Sequence, residues 1–249
     1  MQNSVEKMSI NYSPNFDLPK RNKKNIKYLI FHYTGMINDK IALKKLTKNN
    51  SKVSCHYYID RSGKLIQLVP DLYTAWHAGK SNWKKDKSLN NTSIGIEVSN
   101  PGHFHGYKSF SKKQIECLIK ISKNLILNYK IKKQNILGHS DIAPLRKKDP
   151  GEKFPWKFLA KKKIGIWHKI KFSTCKKIRG KKNKLKNKIF LKNLKKFGYC
   201  INSSNLNDLK KIINEINNTE LVCKKNPKIS KIVFFNFFSE VCKKASNFS

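Results

Sequence analysis

The chain has no apolar stretch approaching the roughly 20 residues of a membrane-spanning helix. Met1 to Lys20 also contains no hydrophobic run of the kind a secretory signal needs. Both absences lead to the expectation of no membrane span and a cytoplasmic protein; a start site placed too far downstream would move that expectation to the cell envelope. Paired cysteines are missing as well. Cys55, Cys117, Cys175, Cys200, Cys223 and Cys242 are scattered and none forms a C-x-x-C pair, which argues against zinc held by cysteine clusters. With no export signal they are expected to be reduced thiols. Acidic residues are scarce: 15 Asp plus Glu stand against 54 Lys plus Arg, for a net charge of +39, and Lys153 to Asn207 contains none. Charge of this sign invites a nucleic-acid reading. Arginine is scarce too, and the lysines accompany abundant Asn and Ile, a mixture that biased codon usage can produce alone. Lys in place of Arg leaves solvated faces rather than specific contacts, so no specific nucleic-acid partner is expected.

What the chain does have is 39% hydrophobic content, with 14 Phe and 9 Tyr in 249 residues, enough for one core of ordinary size and a small second unit. Residues 1–25, with Pro14 and Pro19, are expected to be an irregular lead-in. From Ile26 strand-like and helix-like patterns alternate, which predicts an α/β fold with a central mixed β-sheet flanked by helices over residues 26–160. Strands are predicted at Lys27 to Tyr33, His56 to Asp60, Leu65 to Leu68, Ser93 to Ser99 and Asn135 to Leu137, with Arg61-Ser62-Gly63 turning a hairpin. Helices are predicted at Lys40 to Lys48 and Lys112 to Tyr129, the latter N-capped by Ser111. Residues 161–187 form a basic linker. A small C-terminal three-helix domain is predicted over 188–249, from amphipathic patterns at Lys188 to Phe197, Leu206 to Ile216 and Ile229 to Lys243, with Gly198 as a C-cap.

Chemistry concentrates in a few blocks. His32 ends one apolar run and His139 follows another, so each is expected where a strand releases the chain. Asp149 lies ten positions beyond His139, across a proline-containing loop that can fold it back. Two strand ends and one loop can bring His32, His139 and Asp149 around one ion, and three nitrogen and oxygen ligands with an open fourth position describe catalytic zinc. Taken alone, Asp149 before Pro150 and Gly151 is an ordinary turn residue. Glu97 shares a strand face with Gly95 and Ser99, opposite Ile94, Ile96 and Val98. It is either on the solvent side of an edge strand or poised over a cleft with a raised pKa, where Gly95 leaves room for a ligand. Trp76 and His77 sit in a loop of small residues, either packed or offering a ring to a sugar or peptide. Lys147 can deliver positive charge to an oxyanion, although in so lysine-rich a chain its position alone does not mark it.

Five blocks, FHYTG (Phe31 to Gly35), VSCHYYID (Val53 to Asp60), AWHAG (Ala75 to Gly79), NNTSIGIEVSN (Asn90 to Asn100) and GHSDIAPLRKKDPG (Gly138 to Gly151), occur in this order. Together they resemble the zinc-dependent N-acetylmuramoyl-L-alanine amidases, the superfamily that includes peptidoglycan recognition proteins. The last block and the trailing PGEKFPW are similar to the bacterial branch. The resemblance implies one zinc ion on His32, His139 and Asp149, a catalytic carboxylate at Glu97 and an oxyanion-stabilising lysine at Lys147. Trp76 and His77 become expected substrate contacts, and Cys55 stands where a small residue or a tyrosine is usual. The implied substrate is peptidoglycan or a soluble anhydro-muropeptide, cut between muramic acid and L-alanine in wall degradation or recycling by a monomer. A non-catalytic wall-binding protein is the alternative. Leu191, Leu194 and Phe197-Gly198-Tyr199 resemble a helical peptidoglycan-binding module, against which stands an appendage that only packs on the catalytic domain.

Overall fold

A computed structural model describes residues 8–167 and 194–200. In chain order the strands are β1 (Ser9–Ile10), β2 (Phe16–Asp17), β3 (Tyr28–Tyr33), β4 (Tyr57–Ile59), β5 (Leu65–Gln67), β6 (Thr74–Ala75), β7 (Asn82–Trp83), β8 (Asp86–Lys87), β9 (Ser93–Val98) and β10 (Ile136–Gly138). The α-helices are α1 (Asp39–Thr47), α2 (Lys112–Tyr129), α3 (His139–Ile142) and α4 (Trp156–Lys161).

The expected mixed sheet is present, with six strands in the order β1-β5-β4-β9-β3-β10. Only β4 and β5 run antiparallel, as the predicted hairpin, while β4, β9, β3 and β10 run parallel. The long predicted strands and both long helices lie within a residue of their expected bounds. Three short pairs depart from expectation, β7 with β8 among them. In the lead-in expected to be irregular, β1 pairs with β5 and β2 pairs with β6. Two-residue strands carry no readable periodicity, so their pairing depends on the partner strand.

Alternation along the central strands divides the molecule into two layers. Leu29 and Phe31 of β3, Tyr57 and Ile59 of β4, and Ile94, Ile96 and Val98 of β9 face α2, where Ile115, Leu118, Ile121 and Leu125 cover them in one apolar cluster. Helix α2 starts with a capping box: Ser111 Oγ accepts from the Gln114 amide while Gln114 Oε1 accepts from that of Ser111. On the opposite face Ala42 and Leu46 of α1 pack with Tyr58, Ile66 and Leu68. The middle of that face is polar, and it holds His32, His56, His77 and Glu97, all buried. Every residue of β9 is buried, so Glu97 stands on a central strand and the solvent-edge reading does not apply.

Of the C-terminal segment, residues 194–197 are helical and Gly198 ends the turn, its amide donating to the Leu194 carbonyl at 3.1 Å. The rest of the predicted three-helix domain and the basic linker lie outside the described residues, apart from the linker's first residues, 161–167. The turn docks against β7 and α3. Tyr199 packs edge-on against Trp83 at 4.9 Å, and its hydroxyl donates to Asp141 Oδ1 at 2.6 Å. Asp141 Oδ2 accepts from the Gly138 amide at 2.7 Å, which caps the short helix that carries His139. Burial raises the Asp141 carboxyl, and the bonds from Tyr199 and Gly138 pull it back. Among the described residues no helix is long and apolar enough to cross a membrane. Tyr199→Phe is expected to lower stability by about 1–3 kcal/mol, the usual value of a hydrogen bond to a charged group plus the desolvation left behind, as read from the urea midpoint at unchanged slope.

Candidate active site and metal centre

Three parallel strands deliver three of the functional side chains to one place. His32 of β3 is the register partner of Glu97 on β9, and Gly138, the last residue of β10, is the partner of Phe31. His139 therefore leaves the sheet directly beside His32. This is the carboxyl end of the parallel strands, where open α/β sheets form their binding crevices. Asp149 arrives by the loop: its carbonyl accepts from the Ser140 amide at 2.8 Å. The Tyr107 hydroxyl holds the next carbonyl, that of Pro150, at 2.6 Å. Gly151 follows at φ +82°, and a Cβ there would meet Tyr107 Oη at 2.5 Å, so glycine is required for this approach. Beyond it, Phe154 and Trp156 close on Phe31 at 5.4 and 5.7 Å and anchor the loop to the sheet.

Three atoms converge. His32 Nδ1 and His139 Nδ1 are 2.9 Å apart, and they lie 3.1 and 3.0 Å from Asp149 Oδ2. The side chains are buried, at 1%, 3% and 6% exposure. His139 Nε2 donates to the Ala78 carbonyl at 3.1 Å, so in the neutral ring Nδ1 is a bare lone pair. Burial and the neighbouring His139 hold His32 down to about 4, so the His32 ring is neutral at pH 7. Burial alone would raise the Asp149 carboxyl, but its contacts with His139 and His32 outweigh that and keep it ionised. These three buried donors lie close enough to hold one metal ion, and two imidazole nitrogens with one carboxylate oxygen are a zinc donor set.

Beside this group, Glu97 is pushed up to about 8, first by burial and then by the Asp149 charge, with Lys147 opposing. Its Oε2 is buried and makes no hydrogen bond. A carboxylate in this state is ready to exchange a proton near neutral pH. Lys147 is half-buried, and its charge acts on both His32 and Glu97.

The expected substrate contacts divide. Trp76 is half-buried, its indole donating to Asp17 Oδ1 at 2.8 Å. His77 is placed otherwise than expected: it is 5% exposed and lies beneath His32, filling the hollow over Gly95 that was expected to take a ligand. A Cβ on Gly95 would meet the His77 ring at 2.4 Å. Sequence reasoning does not single out Asn90, Ser93, Asp141, Arg146 or Tyr107. Asn90 and Ser93 stand inside a block that carries the resemblance, but their hydrogen bonds to the AWHAG loop join chain positions more than ten apart.

Comparison with known proteins agrees with this geometry. The family model described as N-acetylmuramoyl-L-alanine amidase matches residues 22–152. The chain belongs to that family. Among curated amidases, it is 42% identical over 154 residues to AmiD of Escherichia coli, covering 57% of this chain and 55% of AmiD. Against that relative the match therefore spans about half its length. It is also 32% identical over 162 residues to the 1,6-anhydro-N-acetylmuramyl-L-alanine amidase AmpD of Haemophilus influenzae, covering 58% of this chain and 85% of AmpD. The solved structure of E. coli AmiD with anhydro-N-acetylmuramic acid-L-Ala-D-gamma-Glu-L-Lys superposes with a TM-score of 0.74 at 29% identity, covering 90% of this chain and 92% of that one. The amidase match ends at Glu152, so it contains all five residues expected to carry the chemistry. His32→Ala, His139→Ala and Asp149→Ala are each expected to abolish stoichiometric zinc, measured by elemental analysis after dialysis, while Glu97→Ala keeps one equivalent.

Proposed function

We propose that the chain hydrolyses the amide joining N-acetylmuramic acid, or its anhydro form, to the L-alanine of the peptidoglycan stem peptide, with residues 26–160 carrying the chemistry. The observation that carries this reading is the buried His32, His139 and Asp149 group set beside an unpartnered Glu97. The family supports the reaction, and the relatives named for anhydro-muramyl substrates support the substrate class. His32, His139 and Asp149 would hold a zinc ion, which would supply Lewis acidity to polarise a carbonyl oxygen and acidify water. Glu97 takes the proton of the attacking water on its free oxygen and hands it to the departing alanine nitrogen. Lys147 places its ammonium where the carbonyl oxygen gains negative charge, a contribution that single donors typically make at about 3–4 kcal/mol. Substrate stem peptides carry carboxylates, so the strongly basic chain favours their capture. The Phe197-Gly198-Tyr199 turn is read as the start of a peptidoglycan-binding-like helical domain that is also tied to the catalytic layer through Asp141.

The test is digestion of anhydro-muropeptides and of intact peptidoglycan, followed by mass spectrometry of released peptides. Zinc-loaded protein is expected to release peptides beginning with L-alanine, and chelated protein is not. Glu97→Ala should retain zinc and lose about 10²–10⁴ in kcat; turnover equal to wild type would remove Glu97 from the mechanism. Because Glu97 must be ionised to accept a proton, kcat/KM is expected to fall on the acid side with a midpoint at or below about 8, since bound zinc adds positive charge to the site. Lys147→Met should lower kcat by roughly 10²–10³ with little change in KM, checked by steady-state kinetics on one anhydro-muropeptide.

A further inference from the structure

His32 must present Nδ1 as a lone pair if it is to bind a metal, and something must therefore keep its proton on Nε2. The structure contains a chain of hydrogen bonds whose directions can be assigned from one end. The Leu89 carbonyl can only accept, and Ser93 Oγ lies 2.5 Å from it, so the Ser93 hydroxyl proton is committed there. Toward His77 Nε2, 3.2 Å away, Ser93 has only lone pairs to offer, so Nε2 carries the proton. His77 is buried, and an imidazolium there without a carboxylate hydrogen-bonded to it would be costly. The ring is thus neutral and its Nδ1 accepts. That atom lies 3.0 Å from His32 Nε2, which must donate.

The same short loop acts on the other histidine. The Ala78 carbonyl, one residue on, accepts from His139 Nε2 at 3.1 Å, and an Arg146 guanidinium nitrogen donates to the same carbonyl. Asn90 Oδ1 pins both residues, accepting from the amides of His77 at 3.1 Å and Ala78 at 2.7 Å. Gly95 leaves the hollow the His77 ring occupies.

From this we infer that the His77-Ala78 loop, held by Asn90 and Ser93, sets the tautomer of both metal-binding histidines, with His77 the positioning residue for His32. This rests on the metal-site reading above. His77 approaches His32 on the ring edge away from the metal-facing nitrogen, so it is not a substrate contact. Outer hydrogen bonds of this kind typically change metal affinity by about 10–100-fold when removed.

The experiment is a competition titration of zinc against a chromophoric chelator with the full chain, together with the visible spectrum of the cobalt-substituted protein. His77→Ala is expected to weaken zinc roughly 10–100-fold and to alter the cobalt bands. His77→Asn places an amide oxygen near the position of Nδ1 and should recover most of the affinity. Ser93→Ala, which opens almost no cavity, should weaken zinc by about 3–10-fold, a smaller loss than deleting the direct partner, and it carries the test should His77→Ala fail to fold. Zinc affinity within twofold of wild type in Ser93→Ala, or in His77→Ala, overturns the inference, as does an Asn variant no better than the Ala one. Wild-type protein whose zinc binding is insensitive to His32→Ala would instead overturn the metal site itself, and the inference with it.

Discussion

Three lone-pair-bearing atoms meeting inside a dry interior is the constraint on which this molecule is organised. Two imidazole nitrogens and a carboxylate oxygen within 3.1 Å of one another repel unless a proton or a metal cation lies among them. The surrounding protein must therefore hold them against that repulsion. It does so with stiff elements: neighbouring parallel strands carry His32 and Glu97, and the third strand of the group, β10, ends at the residue before His139. Only Asp149 comes from a loop, and that loop is tied down by the Ser140 amide, the Tyr107 hydroxyl and an aromatic cluster on Phe31. Donors held this way would lose little conformational freedom on binding a metal, so less of the binding free energy would be offset by ordering.

The division of the sheet into an apolar and a polar face explains why such a site can exist in a small domain. The α2 side is almost wholly aliphatic and aromatic, and it supplies the burial that stabilises the fold. The opposite side can then carry four buried polar side chains, His32, His56, His77 and Glu97, in the middle of the sheet. Their burial is what tunes them. It disfavours the charged form of the three histidines and pushes Glu97 up to about 8. The Phe197-Gly198-Tyr199 turn joins this arrangement from outside, since Tyr199 bonds the aspartate that caps the His139 helix.

Much of this arrangement is legible in the order of the amino acids. Period-two alternation in Ile94, Ile96 and Val98 and helical spacing from Ile115 to Leu125 locate β9 and α2, because burial on one face imposes those periods. The apolar runs before His32 and His139 place both at strand ends. The short strands β1, β2, β6, β7 and β8 are not legible in this way, since two residues hold no period and pair only because a neighbour is already there. Nor is the role of His77: an imidazole beside an alanine and a glycine reads the same whether it faces solvent or lies under a metal ligand.

By itself, then, the sequence determined the layer architecture and the core face, because periodicity and residue type are local properties, and its five motif blocks carried the family resemblance that points to His32, Glu97, His139, Lys147 and Asp149. The tertiary structure alone decided that Glu97 stands on a central strand, that three donor atoms converge, and that the His77-Ala78 loop turns to His32 and His139. Those outcomes depend on strand register and on contacts between residues up to 117 positions apart, from His32 to Asp149. Such pairings arise only when the sheet has formed and the loops have nowhere else to satisfy their polar groups.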